Sequence, residues 1–276
     1  MMKLSFIGGG NMATALVAGL KHQQFKTSDI TVIELEAEKR AQLTQQFGVN
    51  ASANLVDAAA CDVILLAIKP QQLPTLAIAL APLLKNQLII SIAAGIRVAD
   101  LSRWLGNYPT IVRCMPNTPA QIQQGITGLY AMPNVSKTQI AAADQILSAA
   151  GSTLWLDAEE KLDAVTAISG SGPAYVFYFI EALHEAALNL GLNEQQAKQL
   201  SIATFKGATL LADSSATPIA TLRQQVTSKG GTTEQGLLSL ENSKVKQAII
   251  LAAQKANERA KTLGDELGRD ELGKDS

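Results

Sequence analysis

Apolar and polar positions along this chain follow two regimes. Up to Leu156, short apolar runs of strand length alternate with stretches of helical spacing. Runs at 3–7, 29–34, 49–51, 62–67, 87–92, 110–114, 127–132 and 152–156 read as strands. Helical stretches at 12–23, 36–47, 54–60, 71–84, 98–105 and 136–150 fall between them. The run at 62–67 is nearly continuous in apolar residues, as a strand covered on both faces requires. This rhythm predicts an α/β region with a mostly parallel, doubly wound sheet. From Ala158 onward the period-two pattern stops. Alanine- and leucine-rich stretches at 159–190, 193–213, 218–227, 231–240 and 242–264 predict an all-α second region. The expected division is 1–158 and 159–276, and the charged stretch 265–276 is expected to fray.

Composition narrows this only a little. The chain has 276 residues, 47% apolar and 17% charged, with a net charge of −1. That balance gives no global electrostatic case for nucleic acid or a membrane surface. The uncharged run 164–180 is short for a membrane span and is broken by Gly170-Ser171-Gly172-Pro173. It reads as a helix buried in a core or a subunit interface. The apolar surface of the second region points to a dimer formed through it, the alternative being a monomer whose two domains cover each other. Cys61 and Cys114 lack metal-type spacing and read as buried thiols of a reducing cytosol, so no metal site is expected. The chain's start runs straight into the first strand, leaving no room for a signal peptide, and a cytoplasmic location is the expectation.

Chemistry gathers first at Ile7-Gly8-Gly9-Gly10-Asn11-Met12-Ala13, between the first strand and the first helix. This is the dinucleotide-binding form G-x-G-x-x-A. Gly8 permits the tight turn, Gly10 lets the backbone approach a pyrophosphate, and Ala13 lets the helix pack closely on the strand. Free N–H groups and the helix dipole would hold the phosphates. Glu34 ends the second strand, where an acid accepts hydrogen bonds from ribose hydroxyls and repels a 2′-phosphate, though Lys39 and Arg40 stand close enough to soften that rule. Ala67-Ile68-Lys69-Pro70, then Ala93-Ala94-Gly95, then Asn117 leave later strands at the carboxyl edge, where ligands of open α/β sheets bind. Lys69 could meet ribose or phosphate there, and Asn117 could offer its amide to a ring or carboxamide. In the second region, Ser228-Lys229-Gly230-Gly231-Thr232-Thr233 opens a helix and suits a carboxylate, although Thr232 or Thr233 could equally serve as an ordinary N-cap. His22 and His184 read as surface and packing residues. The lack of an evident general base favours an imine substrate, whose charge makes its carbon electrophilic before the enzyme acts.

These motifs together resemble pyrroline-5-carboxylate reductases. The likeness runs through Phe6–Met12, Ala67–Pro70, Ala93–Gly95, Arg113–Pro119 and Ser169–Tyr175. It is most specific between Pro218 and Glu241, in Val226-Thr227-Ser228, Gly230-Gly231 and Thr233. The resemblance implies an N-terminal Rossmann domain and a helical C-terminal dimerisation domain. It implies reduction of the ring imine of 1-pyrroline-5-carboxylate to L-proline with NADPH or NADH, in homodimers that commonly assemble into decamers. Ile7–Met12, Asn54, Ala67–Pro70 and Ala93–Gly95 would contact the cofactor. Gly231, Thr232 and Thr233 would contact the substrate. Thr233 would donate a proton or orient the ring, with a bound water as the alternative donor, and Ser228 would support the loop. Lys229 stands where many relatives carry proline. Two alternatives remain at this point. A 3-hydroxyacid-type dehydrogenase would need a catalytic lysine on the long helix, and none occurs between Gly172 and Glu185. A non-catalytic dinucleotide sensor would have no use for the threonine loop.

Overall fold

A computed structural model describes residues 2–269. Eight strands form one sheet: β1 (Leu4–Ile7), β2 (Ile30–Ile33), β3 (Asn50–Ser52), β4 (Val63–Leu66), β5 (Leu88–Ser91), β6 (Ile111–Met115), β7 (Gly125–Ala131) and β8 (Gly151–Trp155). Their order is β3-β2-β1-β4-β5-β6-β7-β8, parallel throughout except where β7 runs against β6. The mostly parallel, doubly wound sheet read from the pattern is therefore present. The chain moves outward from β1 in one direction as far as β3 and then returns to β4 on the other side. A topological switch point lies between β1 and β4.

Alternate strand residues feed two cores, one on each face. Leu4 and Phe6 of β1, with Val63 and Leu65 of β4, join the face that holds α1 (Asn11–His22). Ile7, Ile64 and Leu66 join the opposite face. The first face also takes residues of α2 (Ala37–Phe47), namely Leu43 and Phe47. A short α3 (Val56–Ala59) contributes Ala58 to the second face, beside α4 (Leu73–Leu80) and α5 (Val98–Trp104). The expected helix 71–84 is shortened to α4 between two 3-10 turns, Pro70–Gln72 and Ala81–Leu83, which carry Pro70 and Pro82. On the first face, α6 (Lys137–Leu147) starts at Ser136, whose hydroxyl accepts the Gln139 N–H in a reciprocal capping box.

The expected helix 159–190 is broken. It is α7 (Lys161–Val165), a π-helical turn Thr166–Gly170, and α8 (Gly172–Asn189). Pro173 has no N–H for the carbonyl of Ser169, and Ser171 instead donates to Thr166 at 2.8 Å. Four further helices follow: α9 (Glu194–Asp213), α10 (Ile219–Gln225), α11 (Thr232–Asn242) and α12 (Val245–Leu267). Residues 265–267, expected to fray, thus continue α12. Residues 270–276 lie outside the described residues.

The chain forms two compact units. One takes in the chain up to Ser171 and again from Ala256, and the other is Gly172–Lys255. The pattern had pointed to 158/159. The later division arises because α7 covers the sheet: Leu162 and Ala167 are buried, and Val165 fills the space over Gly128. The second unit is nearly all surface. Only Ala197 and Ser201 are buried among its residues. The run 164–180, read as buried in a core or an interface, buries Ala167, while its α8 part has no buried residue within the chain. Both cysteines are free and buried, as expected. Among the described residues, no helix is long and apolar enough to cross a membrane, and no cluster of side chains suits a metal ion.

Candidate active site

The carboxyl edge of the sheet in the first unit gathers most of the residues singled out above. Ile7 is buried and its carbonyl oxygen accepts the Ala67 N–H at 2.8 Å, tying the end of β1 to the end of β4. Gly8 follows with φ +102°, and a Cβ there would lie 2.5 Å from the Ala67 carbonyl oxygen. Only glycine meets both the backbone angle and the approach of the neighbouring strand. Gly10 is the N-cap of α1 in an extended conformation, and a Cβ on it would meet nothing within 4 Å. The space above the first turn of α1 is therefore open. The N–H groups of Asn11 and Met12 belong to the helix end that carries partial positive charge. This open cradle fits a pyrophosphate.

Glu34 lies one residue past β2. Its two carboxylate oxygens each accept a backbone N–H, from Gly9 and from Glu36, both at 3.1 Å. Burial pushes this carboxyl up. The N–H groups of Glu36, Gly9 and Leu35, with Lys39 nearby, outweigh it and hold the group below the ordinary carboxylate range. Ser52 joins Glu34 to Asn54: its carbonyl oxygen accepts the Glu34 N–H at 2.9 Å, and its hydroxyl accepts the Asn54 N–H at 3.0 Å. The Asn54 side-chain oxygen is engaged at the start of α3 by the Val56 N–H.

Lys69 is exposed and precedes the 3-10 turn that Pro70 opens. Ile92 donates to the Leu66 carbonyl oxygen at 3.3 Å, which sets the 92–97 loop beside the 67–70 loop. In that loop Ala93 is buried and Gly95 has φ +79°. Asn117 is placed differently. Its side-chain oxygen accepts the Ile126 N–H at 3.0 Å and anchors the start of β7, which leaves its NH₂ group to turn toward a ligand.

Two features of this edge went unnoticed in the sequence. Arg113, 6% exposed, projects from β6 into an ion pair with Glu159 at 2.7 Å, with Asp163 at 3.8 Å. The same Glu159 oxygen accepts the Val98 N–H at 2.8 Å, so one carboxylate ties β6, the turn before α7 and the start of α5 together. The available signal was an arginine inside an apolar strand, which must find a partner when buried. The second feature is the end of α12. Leu263 and Leu267 close over Gly95, and Asp265 pairs with Arg97 at 2.6 Å.

In the second unit, α11 begins at Gly231, the N-cap, with no side-chain cap. The threonine hydroxyls are thus not spent on capping, which removes the ordinary N-cap alternative. The loop is held in other ways. Gly230 has φ +72° and donates to Glu234 at 2.7 Å, and Gly231 donates to the Ser228 carbonyl oxygen at 3.1 Å. The Ser228 hydroxyl fills the space where a Cβ on Gly231 would sit. His22 is exposed, and His184 faces Glu194 at 3.1 Å.

A doubly wound sheet with a glycine turn open at a helix N-terminus, and an anchored carboxylate at the end of the next strand, defines a dinucleotide-binding protein of the Rossmann class. A family model described as NADP oxidoreductase coenzyme F420-dependent matches residues 3–95, and one described as pyrroline-5-carboxylate reductase dimerisation matches residues 159–263. The pyrroline-5-carboxylate reductase of Pseudomonas aeruginosa is 45% identical over 95% of this chain and 98% of its own. The structure of a pyrroline-5-carboxylate reductase from Coxiella burnetii superposes with a TM-score of 0.91 at 38% identity, covering 95% of this chain and 98% of its own. That of Plasmodium falciparum pyrroline carboxylate reductase with NADP bound gives 0.86 at 31% identity, with the same coverage. The chain belongs to the pyrroline-5-carboxylate reductase family, and it is an oxidoreductase that uses a nicotinamide dinucleotide. Nothing in these comparisons favours a 3-hydroxyacid dehydrogenase or a sensor.

Proposed function

We propose the division of labour by which this chain reduces 1-pyrroline-5-carboxylate to L-proline. The first unit holds the cofactor. The turn from Ile7 to Met12 cradles the pyrophosphate, and Glu34 accepts the adenosine ribose hydroxyls, with Asn54 beside it. Ala67–Pro70 and Ala93–Gly95 line the path along the carboxyl edge, and the free NH₂ of Asn117 stands at the end of the next strand. Bound there, NAD(P)H supplies the hydride for the ring C=N. The observation that carries this reading is the cradle at Gly10, which is open to a ligand while Gly8 is crowded against Ala67.

The second unit holds the substrate. Thr232 and Thr233 present backbone N–H groups and uncommitted hydroxyls at the N-terminus of α11, suited to the substrate carboxylate, and Gly231, whose own N–H is held by Ser228, lets the substrate approach closely. Thr233 orients the ring nitrogen or protonates it, and Ser228 supports the loop from beneath Gly231. The helical region pairs two copies, and the decamer is the higher assembly that the family resemblance implies. The setting is cytoplasmic, in keeping with two free, buried thiols.

Steady-state oxidation of NADH and NADPH with 1-pyrroline-5-carboxylate tests the assignment in the parent and in Thr233→Ala. Loss of the hydroxyl lowers kcat by at least about tenfold. A variant as fast as the parent removes Thr233 from the chemistry and leaves water as the proton source.

A further inference from the structure

We infer that this chain takes NADH in preference to NADPH, because the Glu34 carboxylate is fixed at the end of β2 by two backbone N–H groups and each neighbouring cation already holds another partner. The inference rests on the dinucleotide reading of the glycine turn. The fold itself accepts a 2′-phosphate, as the NADP-bound Plasmodium structure shows, so discrimination has to come from side chains at this edge.

Glu34 cannot easily turn away. One carboxylate oxygen holds the Gly9 N–H and the other the Glu36 N–H, each at 3.1 Å. Rotating the group to admit a phosphate breaks at least one of these charge-assisted bonds. An ionised carboxylate only accepts hydrogen bonds. It therefore suits two ribose hydroxyls, which donate, and opposes a phosphate, which carries like charge. The same N–H groups keep Glu34 ionised at neutral pH.

Two cations lie nearby, and each holds a partner other than a ligand. The Lys39 ammonium donates to the Glu36 carboxylate at 2.7 Å. The Arg40 guanidinium gives one nitrogen to the carbonyl oxygens of both Glu34 and Leu35, at 2.8 Å each. Asp57 adds a further negative group. It accepts the hydroxyl of Ser52, the residue whose carbonyl oxygen takes the Glu34 N–H. A 2′-phosphate at this edge meets anchored anions and cations with other partners.

Dissociation constants of NADH and NADPH, measured calorimetrically without substrate, test the inference alongside kcat/KM for each cofactor. The parent binds NADH at least about tenfold more tightly than NADPH, and kcat/KM follows the same order. Glu34→Gln keeps an acceptor and loses the charge. It narrows the gap chiefly by tightening NADPH, and its melting temperature shows that it folds. Arg40→Ala shifts the ratio of the two constants by less than about twofold. NADPH bound as tightly as NADH by the parent, or an Arg40→Ala variant that weakens NADPH alone, overturns the inference. Failure to bind either cofactor overturns the dinucleotide reading beneath it.

Discussion

At the scale of single residues, neighbouring glycines in one turn do different physical work. Gly8 is imposed by the fold, because its positive φ and the Ala67 carbonyl oxygen leave no room for a side chain. Gly10 is imposed by nothing in the protein. It is extended, and a Cβ would touch no protein atom within 4 Å. Gly10→Ala therefore folds with a melting temperature close to the parent's, yet its methyl group enters the space proposed for the pyrophosphate. The expected outcome is cofactor affinity lowered by at least about tenfold, read by calorimetry. Unchanged affinity would move the phosphates away from this turn. Motif spacing made these glycines legible, but could not show which of them the fold requires and which it leaves open. That distinction depends on β4, which approaches from nearly sixty residues further along the chain.

At the scale of elements, α12 shows what a helical pattern leaves open. Its apolar positions predicted a helix ending near 264, followed by a charged tail. Instead the last turns lie on the 92–97 loop. Leu263 and Leu267 close over Gly95, Arg97 reaches Asp265, and Arg103 donates to the Gly268 carbonyl oxygen at 3.0 Å. The exposed ion pair contributes little by itself. The two leucines, half-buried, carry more, since Leu267 also packs against the core on that face. Replacing both by alanine is expected to lower stability by about 2–3 kcal/mol in chemical denaturation. It should also raise the KM for cofactor more than it lowers kcat, because the loop loses its cover. Equal loss in both parameters would confine α12 to a structural role. In α7 and α8 the Gly-Ser-Gly-Pro string was legible, but the pattern still read 159–190 as one helical stretch. The reason for the place of the break was not legible: Met115, at the end of β6, occupies the space where a side chain on Gly170 would go.

At the scale of the whole molecule, the second unit leaves apolar groups uncovered by its own helices. Phe177 and Tyr178 of α8 are 64% and 70% exposed, and Leu210 and Leu211 of α9 are also exposed. Surface of this kind marks an interface, and the matched dimerisation family model spans these helices. Light scattering should give at least twice the chain mass for the parent. Phe177→Asp, which places a charge on this face, shifts the protein toward monomer or aggregate. A monomeric parent would remove the dimer from the proposal.

The sequence alone was enough to determine the sheet, the helical second region and the order of the loops along the carboxyl edge. These follow from periodicity and from backbone demands that act over a few residues, and an apolar run or a glycine turn carries that information locally. Tertiary structure decided what depends on residues distant in the chain. It paired Arg113 with Glu159, returned the end of α12 to Gly95, tied Asn117 to β7, and bound Glu34, Lys39 and Arg40 to particular partners. Whether a charged side chain is free for a ligand depends on the hydrogen bonds it already makes, and those are set only when the chain closes on itself.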